Sequence, residues 1–231
     1  MTSLAKRPAG LPRRFVTLLV GLLGYGLGMA LMVRAHLGVA PWDVLSLGIE
    51  HQTGWNFGLI TVGLSGVVLL LWIPLRQWPG IGTVLNALLV GPAANLGFLI
   101  FPTPNVLWLQ IIYLVAGILV IGFSTGLYIG SHFGPGPRDG LMTGLVRRTG
   151  WRIWIVRSSI EIIVLAIGWA LGGDVGIGTV LFALGIGPIC NYTIPLLALP
   201  LKVNDSQLES ELEGSLSPSN PETAPGDSPA Y

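Results

Sequence analysis

Charge is what this sequence has least of. Only 10% of its 231 residues are Asp, Glu, Lys or Arg, against about 25% in a soluble domain. None lies between Arg76 and Arg138, and further uncharged runs cover 15–33, 58–75 and the stretch between Asp174 and Lys202. A chain this poor in charge cannot cover a water-facing surface, which excludes an ordinary soluble domain. Cysteine is nearly absent too. The single Cys190 sits in an apolar run, so an intrachain disulfide is impossible and the redox compartment cannot be read. No basic array suggests nucleic acid as a partner. The sequence also lacks a P-loop, a dinucleotide fingerprint, an HExxH pair, a nucleophile elbow and any metal-spaced Cys/His set. His36 and His132 are too far apart to make a metal site. An enzyme is therefore not expected, and neither is a cofactor or a metal.

What is present is apolar: 52% of the residues are hydrophobic and the mean hydropathy is +0.72. Runs of about 20 apolar residues cross a bilayer, and six are expected here, at about 15–34, 57–76, 81–101, 107–129, 153–172 and 177–199. Most of the chain thus has the lipid bilayer as its solvent. The basic leader 1–14 followed by an apolar run has the outline of a signal peptide, but the run is too long for one and reads as a retained first span. Basic residues then supply an orientation. Lys6, Arg7, Arg13, Arg14, Arg76, Arg138, Arg147, Arg148, Arg152 and Lys202 fall on one side of the expected topology and only Arg34 on the other. Both termini are expected in the cytoplasm, in a bacterial plasma membrane. From 202 to 231 the composition turns to Ser, Pro, Glu and Asn and holds six of the eleven acidic residues. That segment is read as a disordered cytoplasmic tail, with a regulatory or partner-binding role as the alternative.

One phrase is written twice. GIGTVLNALLVGPAANL at 80–96 returns as GIGTVLFALGIGPICNY at 176–192. Laid over one another at an offset of 96, residues 21–100 and 117–196 share 27 identities in 80 positions without a gap. The matches include Gly, Pro, Asp and Asn in register, which chance similarity between apolar helices does not give. The chain is therefore two copies, membrane repeat 1 at 15–104 and membrane repeat 2 at 105–201. Each holds three expected spans. A chain that crosses three times ends on the opposite side, so the second copy is expected upside down, the plan of many secondary transporters.

Three elements carry the candidate chemistry. In HLGVAPWDVLSLG and its twin HFGPGPRDGLMTG, Pro41 and Pro137 suit the first position of a helix, and Asp43 and Asp139 follow near its positive end. Each of these helices is expected to be a half-helix or re-entrant segment of about 10–12 residues, shorter than a crossing; the alternative is an interfacial helix with Asp as a mere cap. Arg138 stands beside Asp139. The second element is a stripe of small and weakly polar residues, Thr83-Ala87-Gly91-Asn95 and Thr179-Ala183-Gly187-Asn191, of the kind that lets helices approach closely. Gly91-Pro92 and Gly187-Pro188 are expected to interrupt their ladders mid-span. Tight packing of these two helices on one another is the plain reading, with Thr83, Thr179, Asn95 and Asn191 as solute contacts the functional one. The third is Glu161, near the middle of the fifth span with Arg157 one turn before it. A charge there costs about 3 kcal/mol on insertion scales, so the pair is either a structural ion pair or a handler of protons or cations.

The LGxxPWDVLxxG stretch, its GPGPRDGLM partner and the two GIGTVxxAxxxGP helices resemble the bacterial YczE/YyaS/YitT-like integral membrane proteins. The resemblance covers about residues 14–200. It implies a polytopic inner-membrane protein and carries over no activity and no catalytic residues.

The sequence thus predicts an all-helical, six-span membrane protein of two inverted repeats, each with a short half-helix. The expected function is secondary transport of a small solute, with Asp43, Asp139, Arg138, Asn95, Asn191, Thr83, Thr179, Glu161 and Arg157 along a path at the repeat interface. A channel-like pore and a non-transporting scaffold for a biosynthetic or signalling partner are the alternatives, and a homo-oligomer is compatible with each. Solute, ion and direction are not written in the residues.

Overall fold

A computed structural model describes residues 9–55 and 57–200, without the side chains of 57–59, 61 and 62. The expected tail at 202–231, together with Lys6, Arg7 and Lys202, lies outside the described residues. The chain divides into a unit Gly10–Leu199 and a second made of Met1–Ala9 with Pro200–Tyr231. Of the second only Ala9 and Pro200 are described, tied by the Ala9 N–H to the Pro200 carbonyl at 2.9 Å.

The larger unit is all-helical among its described residues, with α1 (Leu11–Arg34), α2 (Pro41–Thr53), α3 (Phe57–Leu75), α4 (Ile81–Ile100), α5 (Leu107–Gly130), α6 (Pro137–Thr149), α7 (Ile153–Ala170) and α8 (Ile177–Leu197). Five of them, α1, α4, α5, α7 and α8, are long and apolar enough to cross a membrane. The sixth expected span falls on α3, whose described apolar stretch is the shorter Gly63–Leu75. Their outward faces are apolar, with Leu99 86%, Ile73 70% and Trp169 70% exposed, which only lipid makes tolerable.

The two short helices are 13 residues each, roughly 20 Å at the usual rise. Both begin at the expected proline, and both end where Gly54 and Gly150 enter the left-handed region at φ 69° and 70°, the usual helix stop. Three boundaries differ from expectation. First, α1 starts at Leu11 rather than 15, because Pro12 in its first turn needs no hydrogen-bond acceptor. Arg14 is drawn inside that helix, donating to the Ser131 and His132 carbonyls at 3.0 Å each and lying over the Phe133 ring. It closes the end of α5, so it is a structural residue. Second, α4 and α8 run unbroken through Pro92 and Pro188. A proline deletes one donor and its ring is accommodated by a small bend, so the expected mid-span interruption is only a missing N–H. Third, the two short helices are slightly longer than expected, by the turn that carries Thr53 and Thr149.

The copies hold each other by reciprocal contacts. The Gly82 N–H donates to Phe133 O at 2.8 Å, and its twin Gly178 N–H donates to Leu37 O at 2.8 Å. The same contact is thus made in both directions between the two copies. Between the copies, α1 and α5 pack on each other more extensively than any other two elements. A Cβ on Gly21 would lie 2.7 Å from the Tyr128 nitrogen, and one on the twin Gly117 would lie 2.9 Å from Gly28 O. The expected pairing of α4 with α8 is overturned. Among the described residues α4 packs on α1, and α8 packs on α5 and α7. Small residues let backbones meet, but α1 and α5 are just as rich in them and pack on one another instead.

The remaining contact class shows how one design is filled twice. The α3–α6 contact is filled by Trp72, whose ring lies on Gly140 and whose Nε1 donates to Pro137 O at 3.0 Å. In the twin α2–α7 contact, Gly168 meets the Leu45 backbone directly. A methyl at Gly140 would overlap the Trp72 ring. Gly140→Ala is therefore expected to lower stability by about 1–3 kcal/mol, the scale of overpacking. Thermal unfolding in detergent, alone and combined with Trp72→Leu to relieve the overlap, checks this.

Candidate functional site

The site is assembled by the starts of the two short helices. Proline at the first position aims each helix start inward, and the next residues carry charge: Trp42-Asp43 on α2 and Arg138-Asp139 on α6. Arg138 Nη1 lies 3.5 Å from Asp43 Oδ1, joining the two helix starts, and its guanidinium sits 5.3 Å from the centre of the Trp42 ring. Both partners of this pair keep some exposure. The neighbouring residue, Asp139, turns the other way and is buried. It accepts from Arg157 on α7 at Oδ1 and from the Tyr128 hydroxyl on α5 at Oδ2. Arg157 Nε in turn lies 3.2 Å from Glu161 Oε1 one helical turn on.

Asp139, Arg157 and Glu161 are 3%, 4% and 1% exposed. The three make a buried cluster with two carboxylates and one guanidinium. Both oxygens of Asp139 are engaged, whereas Glu161 Oε2 has no hydrogen-bond partner among the described residues. Unlike a hydrated surface pair, such a cluster carries its desolvation cost in full, and a surplus charge in it calls for a proton or a cation. Thus five of the nine residues singled out from sequence, Asp43, Arg138, Asp139, Arg157 and Glu161, come together.

The other four do not join them. Thr83 and Thr179 are buried at the starts of α4 and α8, where each hydroxyl accepts from the backbone N–H three residues back, of Gly80 at 3.1 Å and of Gly176 at 3.3 Å. Thr83 also donates to Pro135 O at 2.7 Å, fastening the loop that leads into α6. Thr83 thus holds the start of α6, whereas Thr179 caps its own helix. Asn95 is exposed on α4 and Asn191 half-buried on α8. Their stripes differ in environment: Gly187 is buried against α7, with the Trp154 carbonyl 2.8 Å from where a Cβ would lie, whereas Gly91 has nothing within 4 Å.

Tyr128 was not singled out from sequence. It is fully buried, stacks edge-on with Tyr25 at 6.2 Å between ring centres, and holds Asp139. A lone tyrosine in an apolar run gives little signal, since its twin position is Met32; its only hint is a phenol that needs a partner at membrane depth.

Long apolar helices around a buried carboxylate–guanidinium cluster define a polytopic helical membrane protein. More narrowly, the chain belongs to a family of unknown function, DUF6198, whose model matches residues 12–195. It is similar to an uncharacterized protein of Haemophilus influenzae, 42% identical over 78% of this chain and 83% of the relative. Two Bacillus subtilis proteins are also similar. One is the uncharacterized membrane protein YczE, 31% identical over 79% of this chain and 86% of the relative. The other is the uncharacterized protein YyaS, 26% identical over 77% and 90%. The resemblance read from the twin motifs holds for these two. No solved structure matches the chain.

Proposed function

We propose that this chain is a secondary transporter of a small solute, not an enzyme, with its path at the interface of two inverted three-span repeats. In this reading α1, α3 and α4 are the spans of the first copy and α5, α7 and α8 those of the second. The short helices α2 and α6 enter from opposite faces, and both termini are cytoplasmic in a bacterial inner membrane. Each short helix directs its positive N-terminal end at the junction where Asp43 meets Arg138, as the broken helices of such transporters do. The Asp43–Arg138 pair is the accessible part, suited to a solute with polar or charged groups. The Asp139–Arg157–Glu161 cluster behind it is the dry part, suited to a coupling proton or cation.

One observation carries the proposal: the buried Glu161 Oε2 with no hydrogen-bond partner among the described residues, in a cluster whose carboxylates outnumber its guanidinium. A cluster built only to bind helices together has every reason to be balanced, and this one balances only when something positive is added. The twins of Arg157 and Glu161, Thr61 and Ser65, are uncharged, so this ion pair belongs to one half of the molecule alone.

The test is flux. Purified protein is placed in liposomes with a pH-sensitive dye inside, and a pooled metabolite extract is added outside. Wild-type liposomes are expected to show saturable, extract-dependent proton movement. Glu161→Gln is expected to reduce it by about 100-fold or more, the scale on which a positioned proton-handling group acts. Unsaturating conductance points instead to a pore. Absence of any flux sinks the transporter and leaves a scaffold.

A further inference from the structure

The ends of α3 and α6 form an open groove of about 720 Å³ lined by Ile73, Pro74, Leu75, Arg76, Gly144, Arg147 and Arg148. Its two sides differ. One is apolar and faces outward: Ile73 is 70% exposed and the nearby Trp78 86%. The other is a cluster of three exposed arginines. Arg147 donates to Gln77 Oε1 at 2.6 Å and to Arg76 O at 3.3 Å, and Arg148 donates to Pro74 O at 2.5 Å. These contacts fix the two guanidiniums in place but use few of the five N–H donors each carries. No carboxylate is paired with them among the described residues.

The internal repeat supplies a control for what these arginines are needed for. The twin of Arg147 is His51, and the twin of Arg148 is Gln52. His51 Nδ1 lies 2.7 Å from Gly172 O, the twin of the Arg76 carbonyl, and Gln52 Nε2 donates to Leu171 O at 3.0 Å, one residue beyond the twin of Pro74. Side chains without a guanidinium thus satisfy the corresponding helix end in the twin contact. Closing the backbone does not require arginine, and the surplus is positive charge, oriented donors and an apolar wall at a membrane-facing edge.

We propose that the Arg76–Arg147–Arg148 groove binds a phosphate group, and that an anionic phospholipid supplies it, its headgroup on the guanidiniums and its chains along Ile73. Guanidiniums held in place suit phosphate by charge-assisted, forked hydrogen bonds, and basic pockets between membrane helices hold anionic headgroups in this way. The proposal is independent of the transport reading, since the groove shares no residue with the central cluster.

Native mass spectrometry of the full chain from detergent tests it, with phosphatidylglycerol, phosphatidylethanolamine and inorganic phosphate titrated separately. The variant is Arg147→His with Arg148→Gln, which writes the first copy's own neutral pair into the second and keeps the backbone contacts. At a pH near 8, where His is neutral, phosphatidylglycerol is expected to bind the wild type about tenfold or more tightly than phosphatidylethanolamine, a preference the variant loses. A second variant, Arg76→Gln, is expected to weaken binding part-way. If inorganic phosphate competes at equal concentration, the phosphate site stands and its source is solution. If both lipids bind alike, or the double variant keeps the preference while its thermal midpoint is that of the wild type, the groove does not select an anionic phospholipid and the proposal fails.

Discussion

Arg157→Gln is expected to destabilise the protein by about 3–5 kcal/mol, the cost of stripping one partner from a buried ion pair. The side chain is 5% exposed and is the only cation in contact with Asp139 and Glu161 among the described residues. Glutamine fills much of the same volume, so little of the loss comes from packing. It comes from two buried carboxylates left without their counter-ion. Unfolding in detergent with increasing sodium dodecyl sulfate reads the difference, and yield from membranes is expected to fall with it.

The same argument predicts a recovery. In Asp139→Asn/Arg157→Gln/Glu161→Gln no charge is left to compensate, and most of the lost stability is expected to return, because buried ion clusters are often replaceable by neutral groups at little cost. The asparagine that replaces Asp139 still offers the Tyr128 hydroxyl an oxygen to donate to, so that phenol is not orphaned. Stability regained with transport still absent separates the cluster's functional role from its structural one. If Arg157→Gln is as stable as wild type, the cluster is hydrated and the premise of a dry site fails.

How much of this was legible beforehand differs by element. The short helices were, because Pro41 and Pro137 at the start and Thr-Gly-Trp at the end are local signals acting within one turn. The Glu161–Arg157 pair was legible for the same reason, since a spacing of four on a helix is contact. The third member, Asp139, was singled out, but as the charge that orients a half-helix. Its link to Arg157 crosses from α6 to α7 and depends on packing that no local pattern encodes. The stripes misled for a related reason. Small residues at four-residue spacing declare that a helix can be approached closely, not which neighbour does so. Repeat symmetry also hides differences, and the exposed Gly91 against the buried Gly187 shows that near-identical segments sit in unlike surroundings.

Single cysteines at Thr53 and Thr149 are expected to react with a membrane-impermeant maleimide from opposite sides of the bilayer. These are twin positions at the ends of α2 and α6 and both are exposed. Twins deeper in the helices, Ser46 and Met142, are buried and make poor reporters. The one native thiol, Cys190, is fully buried, so each variant presents a single reactive sulfur without further engineering. Each substitution gives up the hydroxyl's bonds to Ile49 O or Leu145 O and to the following Trp N–H, about 1 kcal/mol, which the fold can lose. In right-side-out cells Thr53→Cys is expected to label nearly completely and Thr149→Cys hardly at all until the membrane is opened. The prediction follows from arithmetic on the spans between them: with α3, α4 and α5 all crossing, an odd number of passes separates the two sites. Labelling of both from one side means that α3, whose described apolar stretch is the shortest, does not cross. The repeats would then be parallel rather than inverted, and a path built on their opposition would have no second gate.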